Sequence, residues 1–277
     1  MGIRSARSAR SGRGSHGVGR GLTVVGLVLL IAYGVSLQAA SAGGRGYSHR
    51  VMRNDPVAYW RLNETSGTIA HDATGNYNGN YVQSPVEGQP GLLAAPSGHS
   101  VWFDGVGGRI TANSLTQRTS WPGYTLEAWV RIDQTVKEEH IIAFNRRGGS
   151  NGIALFHDQP TGEFKFRDCE GSGCTQAYST TTAQAGHTYY LVVTVNRQNQ
   201  GRLFINGERQ AIFSSAIRPL SDGLFTIGAE YDSQGGSAIP TSFFKGNIDE
   251  IAIYDHALRH MKVRAHYRAG LRSRSGS

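Results

Sequence analysis

From Val51 onward the chain alternates apolar and polar positions in short runs, broken by turns rich in Gly, Asn and Ser. A period of two marks strands that bury one face. The clearest predicted strands are Ala58–Leu62, Ser100–Phe103, Tyr124–Ile132, His140–Asn145, Gly152–His157, Glu163–Arg167, His187–Arg197, Gly201–Ile205, Leu224–Ala229 and Gly246–Tyr254. In the third of these, Leu126, Ala128, Val130 and Ile132 share one face, and Thr125, Glu127, Trp129 and Arg131 share the other. A polar face that carries a Trp predicts a sheet covered unevenly or a binding surface.

Turn chemistry agrees with this pattern. Asn206-Gly207 follows Gly-Arg-Leu-Phe-Ile205 and predicts a two-residue hairpin returning through Glu208–Ile212. Arg147-Gly-Gly-Ser-Asn151 joins two apolar strands in the same manner. A helical stripe occurs only near the end, through Leu258, Met261, Val263, Ala265 and Tyr267, with Gly270 as its stop. The fold class expected is all-β, an antiparallel two-sheet sandwich with one short C-terminal helix. The segments Val57–Thr68 and Gly246–Asp255, far apart in sequence, are predicted to meet as its closing strands.

The first 42 residues differ. Arg4, Arg7, Arg10, Arg13 and Arg20 precede an apolar run from Gly21, and Ala40-Ser41-Ala42 offers a small-residue cleavage pattern. Residues 1–42 read as a secretory signal peptide cleaved after Ala42, or else as a membrane anchor, since 21–40 is long enough to span a bilayer. Residues 43–51 read as a linker, 52–270 as one large β domain, and 271–277 as a polar tail. The chain carries 28 Lys+Arg against 20 Asp+Glu; beyond residue 42 this becomes 23 against 20. The basic excess therefore belongs mostly to the leader, and no nucleic-acid partner is expected. Contact with a membrane is expected only through an uncleaved N-terminus.

Cys169 and Cys174 enclose Glu-Gly-Ser-Gly. In an exported chain this spacing reads as a small-loop disulfide, with two free thiols as the alternative. Zinc would need two further soft ligands, and no second Cys pair supplies them.

Taken in order, several segments resemble the laminin G-like jelly roll of the concanavalin A-like lectin/glucanase superfamily, in its bacterial extracellular branch. They are Ala58-Tyr-Trp-Arg-Leu-Asn-Glu64, Asp72, Gly75, Val101-Trp-Phe-Asp-Gly105, Tyr124–Val130, Arg202–Gly207, Phe225–Gly228, Lys245–Leu258 and Val263–Tyr267. Two departures stand out: Gly186-His-Thr-Tyr-Tyr190 replaces the family's Trp-x-His, and Arg259 occupies the usual Ser/Thr cap of the last helix. That helix start is then left to Asp255 or water.

Retaining glucanases of this fold have a Glu-x-Asp-x-x-Glu strand, which alternation points into one cleft. No such run exists here. Glu127 stands alone, while Glu138-Glu139 and Asp249-Glu250 are adjacent and on a regular strand face opposite ways. Gly148-Gly-Ser-Asn-Gly152 matches a nucleophile elbow but lies between strands, where an elbow needs a following helix. No catalytic residue is expected.

Asp249 shares the register of Ile251 and Ile253 and is expected to point partly inward, where it needs a partner. Arg61, turn amides or a calcium ion could serve. The resemblance implies calcium near Asp72, Asp249 and Asp104; alternatively Asp72 and Asp104 fix turns through backbone N–H groups. Trp60 and Phe103 read as core. Tyr77, Tyr81, Trp121 and Tyr231 lie in predicted loops, where rings can stack on a sugar or a partner. The expected function is an exported, non-catalytic module at the cell surface that recognises a glycan or a cell-surface protein. A structural or adhesive envelope protein is the second reading, and a degenerate glycosidase the third.

Overall fold

A computed structural model describes residues 42–83, 85–94, 98–112, 121–133, 139–145, 152–158, 161–170, 173–215, 225–234 and 237–272. The signal-peptide and anchor expectations, the loop 146–151 and the polar tail from 273 onward lie outside the described residues. Among the described residues, no helix is long and apolar enough to cross a membrane.

The first elements are α1 (Ala42–Met52), β1 (Ala58–Trp60), β2 (Ile69–Ala70), β3 (Gly79–Val82), β4 (Val86–Pro90), β5 (His99–Asp104) and β6 (Arg109–Ala112). Next come β7 (Tyr124–Ile132), β8 (Glu139–Asn145), β9 (Gly152–His157), β10 (Glu163–Glu170), β11 (Gly173–Thr182) and β12 (Thr188–Val195). The chain continues through β13 (Gln200–Ile205), β14 (Glu208–Ser214), β15 (Phe225–Ile227), β16 (Glu230–Gln234), β17 (Ser237–Thr241), β18 (Lys245–Tyr254) and α2 (His260–Gly270). All ten runs identified by alternation are strands. The return strand after Asn206-Gly207 is β14, and both turn residues take positive φ, 52° and 80°, as a type I′ hairpin requires.

The fold is a jelly-roll sandwich of antiparallel sheets. Among the described residues, the first sheet runs β14-β13-β12-β7-β18-β5-β4, with β1 also paired to β18. The second runs β11-β10-β9-β8-β15-β6-β3-β2, and β16-β17 form a separate ribbon. The expected closure is present: Ala58, Tyr59 and Trp60 pair with Ile253, Ala252 and Ile251. Cys169 and Cys174 sit opposite each other on β10 and β11 and form a disulfide.

Leu126, Val130, Ile251 and Ile253 of the first sheet meet Ile142, Leu155, Phe166 and Phe225 of the second in one buried core. Trp60 stacks on Phe225 with ring centroids 4.9 Å apart. Each such side chain stabilises the fold by roughly 1.5–3 kcal/mol through burial.

The outer face of the first sheet is covered in part by both helices, and here the sequence expectations need correction. Residues 43–51, expected to be a linker, are helical. Tyr47 and Val51, four residues apart on α1, are fully buried against Tyr59, Trp129, Tyr190 and Tyr254. Gly43, Gly44 and Gly46 hide the helix from propensity, and burial of this single stripe overrides them. On α2 the buried residues are Val263, His266, Ala269 and Gly270, whereas Met261, assigned to the apolar stripe, is 82% exposed. A Cβ on Gly270 would lie 2.2 Å from Trp129 Cζ2, so the helix end approaches the sheet only because glycine stands there. Arg259 makes no side-chain cap bond.

Candidate functional site

The outer face owes its chemistry to an irregularity in β18. Asp249 pairs with Trp129 of β7, but Ala252, not Ile251, pairs with Glu127. One extra residue is thus accommodated as a β-bulge, with Glu250 at φ 50°. Ile248 and Ile251 both enter the core, and Asp249 and Glu250 both lie on the outer face. The expectation that Asp249 points partly inward with Ile251 is therefore corrected, as is the expectation that adjacent Asp249 and Glu250 face opposite ways.

Protein groups hold these carboxylates. Asp249, 2% exposed, accepts from the Leu92 N–H at 2.8 Å, and its Oδ1 has no hydrogen-bond partner among the described residues. Burial pushes its carboxyl up to about 7, partly offset by the Leu92 N–H and by Arg61. Glu250, 1% exposed, accepts from the Tyr59 hydroxyl and from Arg61 Nη2 at 3.4 Å; burial pushes it well above the usual carboxylate range. Asp72 accepts from the N–H groups of Tyr59, Thr74, Asn76 and Tyr77 at 2.7–3.0 Å and from the Thr74 hydroxyl. Asp104 Oδ1 accepts from Val106, Gly107 and Gly108 at 2.8–3.1 Å. Desolvation pulls its carboxyl upward, but the N–H groups of Gly107, Val106 and Gly108 outweigh this and hold it low.

Calcium needs six to eight convergent oxygens. Asp72 presents its oxygens to N–H donors, and among the described residues no three His, Cys, Asp or Glu side chains converge as ligands. Asp72, Asp104 and Asp249 as placed do not fit that ion.

A second polar cluster lies beneath the helices. Glu127 is fully buried and accepts from the Tyr47 hydroxyl at 3.1 Å, the Tyr190 hydroxyl at 3.0 Å and His266 Nδ1 at 3.0 Å. His266 Nε2 faces the Asn54 amide nitrogen at 2.8 Å, so the ring proton belongs on Nδ1. Asn54 also donates to Arg50 O at 2.8 Å, which ties the end of α1 to α2. Burial, then Glu127, pushes the Tyr47 and Tyr190 phenols well up, so both remain donors.

Beyond the helices the same face is open. Cross-strand pairs align Thr188, Arg131, Asn247 and Trp102 in one row across β12, β7, β18 and β5. A pocket of about 250 Å³ lies on this row, walled on one side by Gln89, Pro90, Gly91 and Leu92. Asn247, 5% exposed, forms part of the lining, and its amide donates to Ser100 Oγ at 3.0 Å. The Trp102 indole N–H donates to Asp133 Oδ2 at 2.7 Å. Strand β18 separates the two residues, so the half-buried indole extends across it. Arg131 is the charged side chain of the pocket lining, with Asp133 Oδ1 at 3.8 Å from its Nη1.

Three of the four predicted ligand-binding rings, those of Trp121, Tyr77 and Tyr81, lie away from this row. Trp121, 3% exposed, belongs to the core. Tyr77 and Tyr81 are partly buried against that core; the Tyr77 carbonyl accepts from Trp60, and the Tyr81 hydroxyl donates to Glu64 at 2.9 Å. Tyr231 lies in strand β16, not in a loop. Sequence reasoning missed Trp102, although its place between core-facing Val101 and Phe103 puts it on the outer face.

Known proteins agree with the architecture. Residues 104–264 match the family model Laminin_G_3, described as the Concanavalin A-like lectin/glucanases superfamily. Domain 4 of AbnA, a GH43 extracellular arabinanase from Geobacillus stearothermophilus, in complex with arabinotriose, superposes with a TM-score of 0.59. It is 18% identical, over 76% of this chain and 98% of that domain. Trypanosoma rangeli sialidase in complex with sialic acid gives a TM-score of 0.54 at 17% identity, over 76% of this chain and 32% of the sialidase. The receptor binding domain of botulinum neurotoxin C/D mosaic serotype gives 0.57 at 14% identity, over 77% of this chain and 51% of that one. No curated protein sequence matches the chain. With more than half its length under the family model and both sheets in place, the chain belongs to the laminin G-like family of the concanavalin A-like lectin/glucanase superfamily.

Proposed function

We propose that the protein is an exported, non-catalytic carbohydrate-recognition module and that the pocket beside Trp102 is its binding site. The observation that carries this reading is the open row itself. A guanidinium and two amides line a concave site on a sheet face that the helices otherwise cover in part, and the half-buried indole of Trp102 lies next in the row, opposite Asn247. Sugars are recognised by this combination, stacking their C–H faces on an aromatic ring while planar polar groups bind their hydroxyls. The arabinotriose complex of the arabinanase domain shows that a similar fold can hold a sugar chain. The disulfide accords with an oxidising, extracytoplasmic location.

The non-catalytic part of the proposal rests on access. Glycoside hydrolysis needs two carboxyl groups flanking the scissile bond. The pocket lining contains none, and Glu127, Asp249 and Glu250 are buried under phenols, backbone and helices. Screening the purified protein on a glycan array, beside its Trp102→Ala and Arg131→Ala variants, tests the reading. Binding by the parent that is lost in both variants supports it. Silence across the array favours adhesion through protein contacts, and release of reducing sugar from any hit would restore the glycosidase reading.

A further inference from the structure

The pocket is closed on its helix side. Its wall, Gln89–Leu92, is anchored where Asp249 Oδ2 accepts the Leu92 N–H at 2.8 Å. Two residues on, the Ala94 N–H donates to the carbonyl of Gly270 at the end of α2, also at 2.8 Å. The Leu92 side chain packs against the cluster under the helices. Gly91 abuts the backbone of Gly98, whose carbonyl oxygen would stand 3.0 Å from an added Cβ. Two hydrogen bonds to buried or helix-terminal groups thus anchor the wall segment at Leu92 and just beyond it at Ala94, and one of the two is accepted by the buried carboxylate of Asp249.

A cleft for the interior of a polysaccharide must be open at both ends and must offer several successive subsites. This pocket is blocked toward α2, has one aromatic platform in its row, and encloses about 250 Å³. Pockets that enclose drug-sized molecules run to about 300–1,000 Å³, so this one has room for about one sugar ring. Its donor fork, Arg131, can reach a pair of adjacent hydroxyls, and a terminal sugar presents one more free hydroxyl than the same unit linked within a chain.

We infer that the pocket takes the terminal sugar of a glycan chain rather than its interior. This inference rests on the carbohydrate-recognition reading above. Asp249 is then a positioning residue: it touches no ligand but fixes the wall that makes the site blind.

The test uses the glycans that score on the array. Each is titrated by calorimetry as a length series from mono- to hexasaccharide, and the parent polysaccharide is titrated before and after partial endo-cleavage. Terminal recognition predicts that affinity levels off by the disaccharide and that binding sites per milligram rise in proportion to the new chain ends. Arg131→Ala is expected to weaken binding by about tenfold or more. Tyr47→Phe, remote from the pocket, is expected to leave the Kd unchanged. Leu92→Gly, which lowers the wall, should let affinity keep rising with length. Affinity of the parent that climbs by about tenfold beyond the trisaccharide, or site number that ignores cleavage, overturns terminal recognition while leaving carbohydrate binding intact. Absence of binding to every glycan overturns both.

Discussion

Tyr47→Phe removes one hydroxyl from α1 and leaves its apolar packing in place. That hydroxyl donates to Glu127 Oε1 at 3.1 Å inside a cluster closed to water. Without it, Oε1 keeps His266 Nδ1 at 3.3 Å, while the shorter bonds from Tyr190 and His266 go to Oε2. A hydrogen bond to a charged group is worth about 1.5–3 kcal/mol, and a buried group left short of a partner bears most of that loss. For a domain of this size each kcal/mol moves the melting temperature by roughly 2–4 °C, so a fall of about 3–12 °C is expected. Thermal unfolding followed by circular dichroism, on a chain containing residues 42–272, measures it. Glu127→Gln should cost at least as much, because an amide replaces an acceptor with a donor opposite donors. The double variant should cost less than the two singles together, with a coupling of about 1 kcal/mol or more. If Tyr47→Phe melts within error of the parent, or the two effects simply add, then α1 is not held through Glu127 and the account of the outer face fails.

Asp249 gives a pH dependence of definite sign. Its folded-state carboxyl is raised to about 7, so the folded protein binds this proton more tightly than the unfolded chain does. The resulting cost appears as pH rises above about 4 and is complete above about 7, reaching a few kcal/mol at most. Glu250 acts in the same direction. Asp249→Asn should therefore gain on the parent between pH 5 and pH 8; an identical stability–pH slope in both proteins refutes this. The Cys169–Cys174 disulfide closes so short a loop that its reduction, or Cys169→Ser with Cys174→Ser, should cost only about 2 kcal/mol and leave the circular dichroism spectrum unchanged. Global unfolding on reduction would refute it. Because Asp72 and Asp104 are held by N–H donors, EDTA should not lower the melting temperature. A drop restored by added calcium would overturn that assignment.

Where the sequence was legible, one residue type at one spacing admitted a single local structure. Asn206-Gly207 specifies its turn, and the alternation of Tyr124–Ile132 separates the core residues from the face that carries Glu127 and Trp129. The covering of that face was not legible. The two buried residues Tyr47 and Val51 among three glycines give α1 no readable period, and on α2 the buried stripe runs through His266, a residue that composition assigns to the surface. The bulge also left no mark: Glu250 adopts the positive φ that a glycine would have advertised. The pocket draws on residues from 89 to 247, which only the strand order brings together, and beside it only Trp102, the cross-strand partner of Asn247, had a local signal.

The bulge in β18 also acts as a change of parity. Before it, even-numbered residues such as Ile248 face the core; after it, odd-numbered Ile251 and Ile253 do. Both halves of the strand are correct only because the chain carries one residue too many at the middle. Deleting a single residue there would make the strand more regular and yet turn Ile251 and Ile253 out beneath the helices, or Ile248 out toward the pocket. An insertion of one residue elsewhere in β18 would do comparable damage, whereas an insertion of two would keep every side chain on its own face. The strand that pairs with both β7 and β5 under the pocket is thus intolerant of any odd change in length.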